Sequence, residues 1–452
     1  MTQTIPLTSP TGLSPGVGAV PLLRIPGSAR KAAATFSQDR FGWNDRACEL
    51  GPLSQLQLGT FRAWIITDPD IARYLLVTDA TNWIRPAIAR TPIRLGVGEN
   101  LFTQSEKAWA IMQPTLSPSF RKRALEPRLA NMAKLIEAEL AKLQSNEPVD
   151  VVALTGRLAM SIAASVLFGF DLAPERSAVI AKHQYDLVTW VGHRVGSLLN
   201  VVPFSFSSSA KEMRRNRKVL EEFAADVIAH GRARTESADD VLDALLAARP
   251  NGKPLSQKEL IGHVLGMLLA GNETTALALG WAVVHGAENP LHWARLRDEP
   301  SFAEPFITES MRLNPTVWGF SREGRRNAKL AGHRTSFTSR NAVIYLRGMN
   351  RRADLWEDPL TFLPERHIGA DSSQKRALQT FALGPRMCIG MHLAMAEMCA
   401  VLPAIARLGD VVLESTPVPD PLFATRAKGG ILVRFVNQPQ VSEPQSPTTP
   451  QA

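Results

Sequence analysis

Apolar residues recur every three or four positions along most of the chain, the spacing of helices that bury one face. Three segments break from that period. "FRAWIITD" (Phe61 to Asp68) alternates like a strand and ends in the turn signal "DPD". "NAVIYLRG" (Asn341 to Gly348) is β-branched and apolar, and "GGILVRF" (Gly429 to Phe435) reads as a third strand. Long helices with a few scattered strands predict a mainly α protein with a minor β part. No linker-like break interrupts the middle, so residues 31–436 are expected to form one large unit. Residues 1–30, rich in Pro, Gly and Ser, are expected to lie extended on the surface. Residues 437–452 are polar and proline-rich and are expected to be disordered.

The longest helix is the easiest to delimit. "SQKE" (Ser256 to Glu259) has the form of a capping box, and "NP" (Asn289, Pro290) stops the run. Ser256 to Glu288 would span about 50 Å at a rise of 1.5 Å per residue, enough to cross a whole domain. Its middle, "GMLLAGNETTALALGW", is apolar apart from one polar island, Ala270-Gly271-Asn272-Glu273-Thr274-Thr275. A carboxylate beside hydroxyls in a buried helix is costly unless paired or in touch with water. Threonine can also bond back to the carbonyl four residues earlier and bend the helix. The island is therefore either a kink relieved by internal polar contacts or a short proton relay facing a cavity.

Composition narrows the class. Apolar residues make up 45% of the chain, ordinary for a globular protein. The three cysteines (Cys48, Cys388, Cys399) cannot build a disulfide framework, and no CxxC pair suggests zinc, so a reducing, cytoplasmic setting is expected. The N-terminal stretch lacks a charged start followed by a continuous apolar run, so no membrane anchor is expected. Net charge is 51 − 42 = +9, but the basic residues lie in short dispersed clusters with no accompanying nucleic-acid motif. A soluble protein with no nucleic-acid partner follows.

Two further motifs carry chemistry. "ESMR" places Glu309 and Arg312 one helical turn apart, and Arg366 in "LPERH" could complete a buried network with them. "FALGPRMCIG" (Phe381 to Gly390) sets Cys388 just ahead of a long apolar helical stretch. Donors at a helix N-terminus would depress its thiol pKa. Gly384 and Gly390 allow a tight turn and leave room for a flat ligand, and Arg386 offers a planar cationic fork to a carboxylate. Haem, flat and carrying two propionates, fits that description, and cysteine-ligated haem iron favours O–O cleavage.

"AGNETT", "ESMR" and "FALGPRMCIG", in this order and at this separation, resemble the cytochrome P-450 family of haem-thiolate monooxygenases, soluble bacterial type. The resemblance runs from about Trp109 to the final strand. It implies the family's fold, one triangular helical unit with small β-sheets. It also implies haem b as cofactor, with Cys388 as the metal ligand and Phe381 packed near the sulfur. Arg386 and Arg322 would meet the propionates together with Trp109. Glu309, Arg312 and Arg366 would form the structural triad. Glu273 and Thr274 would be the acid–alcohol pair that holds dioxygen and feeds protons, with Gly271 widening the oxygen groove. Leu268, Leu269, Val317, Trp318, Leu422 and Phe423 match substrate-pocket positions, along with the loop from Ile84 to Glu106 and the stretch Asp186 to Phe206. They are mostly apolar and imply a lipophilic substrate.

One departure concerns the family's WxxxR motif. Here "WAIMQ" puts Gln113 four residues after Trp109, so one propionate loses a charged partner, and weaker haem retention or a shifted potential is expected. His392 and the methionines Met387, Met391, Met395 and Met398 read as packing residues. No reductase motif follows the cysteine loop, so O2 chemistry would draw electrons from a separate ferredoxin or flavodoxin with its NAD(P)H reductase. Arg121, Lys122, Arg123, Lys375 and Arg376 are candidates for its basic docking face on a monomer. Two rivals are a haem-thiolate enzyme that uses peroxide or rearranges substrates without O2, and a non-catalytic haem protein. Neither needs Glu273 and Thr274.

Overall fold

The computed structural model of the chain describes residues 20–144, 146–194, 208–326, 328–330, 332–334 and 340–436. Its spine is the long helix Gln257–Glu288. Ser256 caps it: the Ser256 Oγ accepts from the Glu259 N–H at 3.3 Å, and Glu259 Oε2 accepts from the Ser256 N–H at 2.8 Å. The expected capping box is present, and the helix ends at Asn289 as expected. Apolar residues cover most of its circumference because it is packed on most sides. Leu277, Leu279, Val283 and Val284 are buried, each worth roughly 1.5–3 kcal/mol relative to exposure.

The helix Val151–Phe168 runs against the spine and is polar at only two points of contact. There the Thr155 hydroxyl donates to the Ala276 carbonyl at 3.0 Å, and the Asn272 amide donates to the Gly156 carbonyl at 2.5 Å. Both helices are long and apolar enough to cross a membrane, yet 67% and 83% of their most apolar windows are buried inside the fold. Helices Pro174–Gly192, Ser208–Ala233, Ala303–Leu313 and Met391–Ala406 complete the helical body around one large apolar core.

The β part sits to one side. Its main sheet has six strands in the order Leu22–Ile25, Leu53–Leu58, Phe61–Ile66, Asn341–Ile344, Phe320–Gly324, Trp83–Ile84. Phe61–Ile66 pairs parallel with Asn341–Ile344, Ala63 opposite Asn341. The expected strands are found as Phe61–Ile66, as Asn341–Ile344, whose expected continuation to Gly348 is instead the short helix Leu346–Met349, and as Leu432–Val436. Leu53–Leu58 ("LSQLQL") and Leu22–Ile25 were not expected as strands. The first is half polar, and a serine, Ser54, is buried on the same face as Leu56, so alternation is masked. The second lies within the segment expected to be merely extended, but pairs parallel with Leu53–Leu58, Leu22 opposite Gln55. The expected tail 437–452 lies outside the described residues.

A C-terminal hairpin, Val418–Pro421 with Thr425–Lys428, folds back onto the spine. The Trp281 indole N–H donates to the Thr425 carbonyl at 2.9 Å, and the Thr425 hydroxyl donates to the Pro315 carbonyl at 2.6 Å. These bonds place the loop after the Ala303–Leu313 helix and the hairpin tip beside one another.

Candidate haem-thiolate site

The cysteine loop is closed by one backbone bond, the Cys388 N–H to the Phe381 carbonyl at 2.9 Å. Two left-handed residues shape it, Ala382 at φ 60 and Gly384 at φ 72. A methyl group on Gly384 would fall 2.0 Å from the Leu76 carbonyl oxygen, so only glycine fits. At Gly390 a methyl group would meet nothing within 4 Å, which leaves open space beside the sulfur. Cys388 is reachable by solvent, while Phe381 and Ile389 on either side pack against the main core. The expected depression of its thiol is not found. Burial raises it, and the Gly390 N–H opposes this only in part. The following helix starts at Met391, three residues on, and brings no side-chain cap to the sulfur. A metal cation is what would deprotonate this thiol.

Above the loop, positive charge accumulates without matching negative charge. The Arg386 guanidinium lies over the Trp109 ring, 3.6 Å from its centroid, and pairs with Glu106, leaving Nε and Nη1 buried without hydrogen-bond partners. Arg322 is buried on the strand Phe320–Gly324, and its Nη1 donates at 2.9 Å to the Ser321 carbonyl. No carboxylate reaches it within ion-pair distance among the described residues. Burial and then Arg386 lower its pKa to about 10. Arg85 joins the cluster: its Nε lies 4.0 Å from Glu106 Oε1, and burial followed by Arg386 lowers it to about 9. Arg386, Arg322 and Arg85, with Arg90 near enough to act on two of them, outnumber the single Glu106 carboxylate beside Trp109. A flat cofactor with two carboxylates and a thiolate-bound metal fits this donor set and the open space at Gly390.

The polar island of the long helix splits between two faces. Met267, Ala270, Gly271 and Thr274 form an accessible stripe at i, i+3, i+4, i+7 in the buried middle of the helix. A methyl group on Gly271 would meet nothing within 4 Å, so room exists along this stripe. The Thr274 hydroxyl donates to the Ala270 carbonyl at 2.6 Å, the back-bond expected of a mid-helix threonine. Glu273, one residue away and so about 100° round the helix, is buried on another side. Arg426 Nε donates to its Oε1 at 2.7 Å, while Oε2 has no partner. Burial raises its carboxyl and the Arg426 cation opposes the shift. This pair lines a cleft of about 410 Å³ with Tyr185, Gln184 and Asn272. The acid and the alcohol therefore do not face one space together, contrary to the expected pair.

The expected substrate positions also divide. Leu268 and Leu269 point into the helical core and are buried, away from the accessible stripe. Val317 and Trp318 lie in the loop beside the hairpin, but the Trp318 ring packs edge-on to Phe41 and Tyr345, in the cluster under the sheet. Its N–H donates to the Leu422 carbonyl at 3.2 Å. Phe423 at the hairpin tip meets the half-exposed Phe102 edge-on, ring centroids 6.3 Å apart. Phe102 belongs to the loop expected to border the pocket. Of the stretch Asp186 to Phe206, residues 195–206 lie outside the described residues.

The structural network assembles as expected and gains a member. Glu309 accepts from Arg312 Nε and Nη2, each at 2.8 Å, and from Arg366 Nε at 3.1 Å. The His367 ring Nε2 lies 2.8 Å from Glu309 Oε2, and the Leu363 N–H donates at 3.0 Å. Arg312 reaches onward to the carbonyls of Asn350 and Pro359. Burial alone would raise the Glu309 carboxyl, but these donors together lower it to about 2.

The family profile described as Cytochrome P450 matches residues 37–425, most of the chain and nearly all of the elements above. The chain belongs to the cytochrome P450 family. It is 25% identical over 414 residues to cytochrome P450 4F1 of Rattus norvegicus, covering 81% of this chain and 78% of that one. It is 26% identical to leukotriene-B4 omega-hydroxylase 3 of Mus musculus, with the same coverages of 81% and 78%. The putative cytochrome P450 137 of Mycobacterium tuberculosis is 26% identical over 69% of this chain and 67% of its own. Among solved structures, CYP175A1 from Thermus thermophilus superposes with a TM-score of 0.76 at 21% identity, over 92% of this chain and all of that one. The mainly α fold with small sheets is thus the P450 fold, and this P450 is an oxidoreductase, a haem monooxygenase.

Other sequence candidates take supporting places in this P450. Burial pushes the Cys48 and Cys399 thiols up to about 12, so both are protonated packing residues. His392 is exposed on the helix after the cysteine. Arg121, Lys122 and Arg123 at the start of one short helix, and Lys375 and Arg376 on another just before the cysteine loop, are all exposed. Arg85 lies within the loop from Ile84 to Glu106 but was not singled out there, and His367 and Arg426 acquire their partners from segments well separated along the chain.

Proposed function

We propose that this cytochrome P450 binds haem b through Cys388 and hydroxylates a lipophilic small molecule, with electrons from a separate ferredoxin or flavodoxin and its NAD(P)H reductase. The observation that carries the reading is the accessible stripe Ala270, Gly271 and Thr274 on a buried helix, together with an accessible Cys388 on a loop of the same core. When bound, haem supplies the iron at which O2 is split, one atom entering a C–H bond and the other leaving as water with two electrons and two protons. Arg386 and Arg322 would hold the propionates, with Trp109 backing Arg386. Thr274 would exchange its bond to the Ala270 carbonyl for one to dioxygen. Glu273, its carboxyl raised by burial, would take protons from the cleft on the other face and hand them to Thr274 through water once it leaves Arg426. Phe102 and Phe423 supply apolar wall.

The substrate class follows from these rings and from a relative named a leukotriene-B4 omega-hydroxylase, so fatty acids are the first compounds to test. A soluble, cytoplasmic monomer is the form proposed; the burial of both long apolar helices supports its solubility alone. The five exposed basic residues Arg121, Lys122, Arg123, Lys375 and Arg376 are its proposed docking face for an acidic redox protein. A second reading, peroxide-driven or O2-independent haem-thiolate chemistry, draws support from the Glu273–Arg426 pair, which holds the acid away from the stripe.

The deciding experiment reduces the haem protein, adds carbon monoxide and records the Soret band in the parent and in Cys388→Ser. A strongly red-shifted band in the parent alone is expected; the same band in both proteins refutes thiolate ligation. Turnover of fatty acids with redox proteins against turnover with peroxide then separates the two readings.

A further inference from the structure

Arg85 follows the two-residue strand Trp83–Ile84, at the start of the loop expected to border the pocket. Its backbone N–H reaches Glu106 Oε1 at 3.5 Å and its Nε lies 4.0 Å from that oxygen, while Arg386 Nη2 holds the other oxygen of the same carboxylate. Glu106 thus stands between two guanidiniums, at the start of the helix Glu106–Leu116 that presents Trp109 to Arg386. Arg85 Nε is buried without a hydrogen-bond partner, as are two nitrogens of Arg386. Arg90 stands nearby, its Nη1 donating to the Thr103 and Gln104 carbonyls and its Nε likewise buried without a partner, but among the described residues it makes no ion pair with Glu106.

The far end of Arg85 does something else. Its Nη1 donates to the Phe102 carbonyl, and its Nη2 to the carbonyls of Leu101 at 3.4 Å and Gln104 at 3.5 Å. Phe102 is the residue whose ring meets Phe423 at the hairpin tip. One guanidinium therefore touches both the charge cluster and the loop that borders the proposed substrate space.

We propose that Arg85 is the third cation of the propionate pocket, standing in for the charge that Gln113 does not supply, and that through it haem binding orders the Leu101–Gln104 loop. This rests on the haem-thiolate reading above. Glu106 cancels one of the two guanidiniums it stands between, so the pair Arg85 and Arg386 presents one net positive charge to a propionate; without Arg85 it would present none. With Arg85 in place, the missing arginine at position 113 leaves no deficit.

The test is the rate of haem transfer from the holoprotein to excess apomyoglobin, read in the parent, Arg85→Gln, Arg85→Lys, Gln113→Arg and the Arg85→Gln/Gln113→Arg double variant. Losing one charge-assisted bond to a propionate should speed haem loss by about tenfold or more in Arg85→Gln. Arg85→Lys, which keeps the charge but not the fork, should fall between it and the parent. Gln113→Arg should change the parent's rate by less than about twofold and recover most of the loss in the double variant, the non-additivity of two groups sharing one partner. Unchanged haem loss in Arg85→Gln, or an equal effect of Gln113→Arg in both backgrounds, overturns the proposal. Far-UV circular dichroism of the apoproteins reports folding; should Arg85→Gln not fold, the Arg85→Lys/Gln113→Arg pair gives the same cycle. Amide exchange at residues 101–104 should slow on haem binding in the parent and less so in Arg85→Gln, and an equal slowing in both refutes the loop coupling. Failure of the haem-thiolate reading shows separately, as absence of the red-shifted carbon monoxide band in the parent.

Discussion

Replacing Glu309 by glutamine perturbs one carboxylate on which three side chains and the backbone converge. The carboxylate is fully buried with Arg312. Burial would raise its ordinary pKa of about 4.3, yet the donors from Arg312, His367 and Leu363 lower it in the fold to about 2. A difference of about two units is worth about 3 kcal/mol of folding free energy. The sign follows from the direction: the folded state favours the ionised form, so this stability is fully present above the unfolded value near pH 4.3. It is lost as pH falls from there toward 2. Glutamine would also leave the fully buried Arg312 without a counter-charge, and breaking a buried pair on one side costs about 3–5 kcal/mol. The assay is urea unfolding followed by far-UV circular dichroism at pH 7, 5, 4 and 3. The parent should weaken steeply below about pH 4.5, while Glu309→Gln should be weaker by about 3 kcal/mol or more at pH 7 and show a flatter acid limb. A loss under about 1 kcal/mol at pH 7, or an acid limb identical to the parent's, would refute the view that this network organises the fold.

Two other outcomes test the site. Gly384→Ala puts a methyl group 2.0 Å from the Leu76 carbonyl at a left-handed φ, so purified protein should show a lower haem-to-protein ratio and a lower melting temperature than the parent; full haem loading would show that the loop can relax. Arg426→Gln removes the one cation that opposes the raised Glu273 carboxyl, so any pH limb of turnover that belongs to Glu273 should move to higher pH; an unmoved limb takes Glu273 out of the proton path.

The features legible in the sequence were those fixed by short-range chemistry. A capping box, a stop at "NP", a left-handed glycine before a cysteine and an i, i+3 ion pair each occupy fewer than ten consecutive residues, and all appear where expected. What stayed hidden depends on the meeting of distant segments. Arg426 reaches Glu273 across 153 positions, and His367 reaches Glu309 across 58. Neither residue differs in its local sequence from an exposed one. The strand Leu53–Leu58 was masked for a related reason: its place in the sheet comes from two partners rather than from its own alternation.

One miss had a signal that could have been used. Counting back from Thr274 by three, four and seven gives Gly271, Ala270 and Met267, the accessible stripe, whereas Leu268 and Leu269 fall on other faces and are buried. The same helical arithmetic separates Glu273 from Thr274, so adjacency in sequence argued against a shared face rather than for one. A relay through both residues consequently requires water or a side-chain rotation. The structure supplies the element that would resist that rotation, Arg426, anchored on the hairpin strand and also bonded to the Thr189 hydroxyl and the Tyr185 carbonyl. Tyr185 and Thr189 sit on the helix Pro174–Gly192, which overlaps the stretch expected to contact substrate.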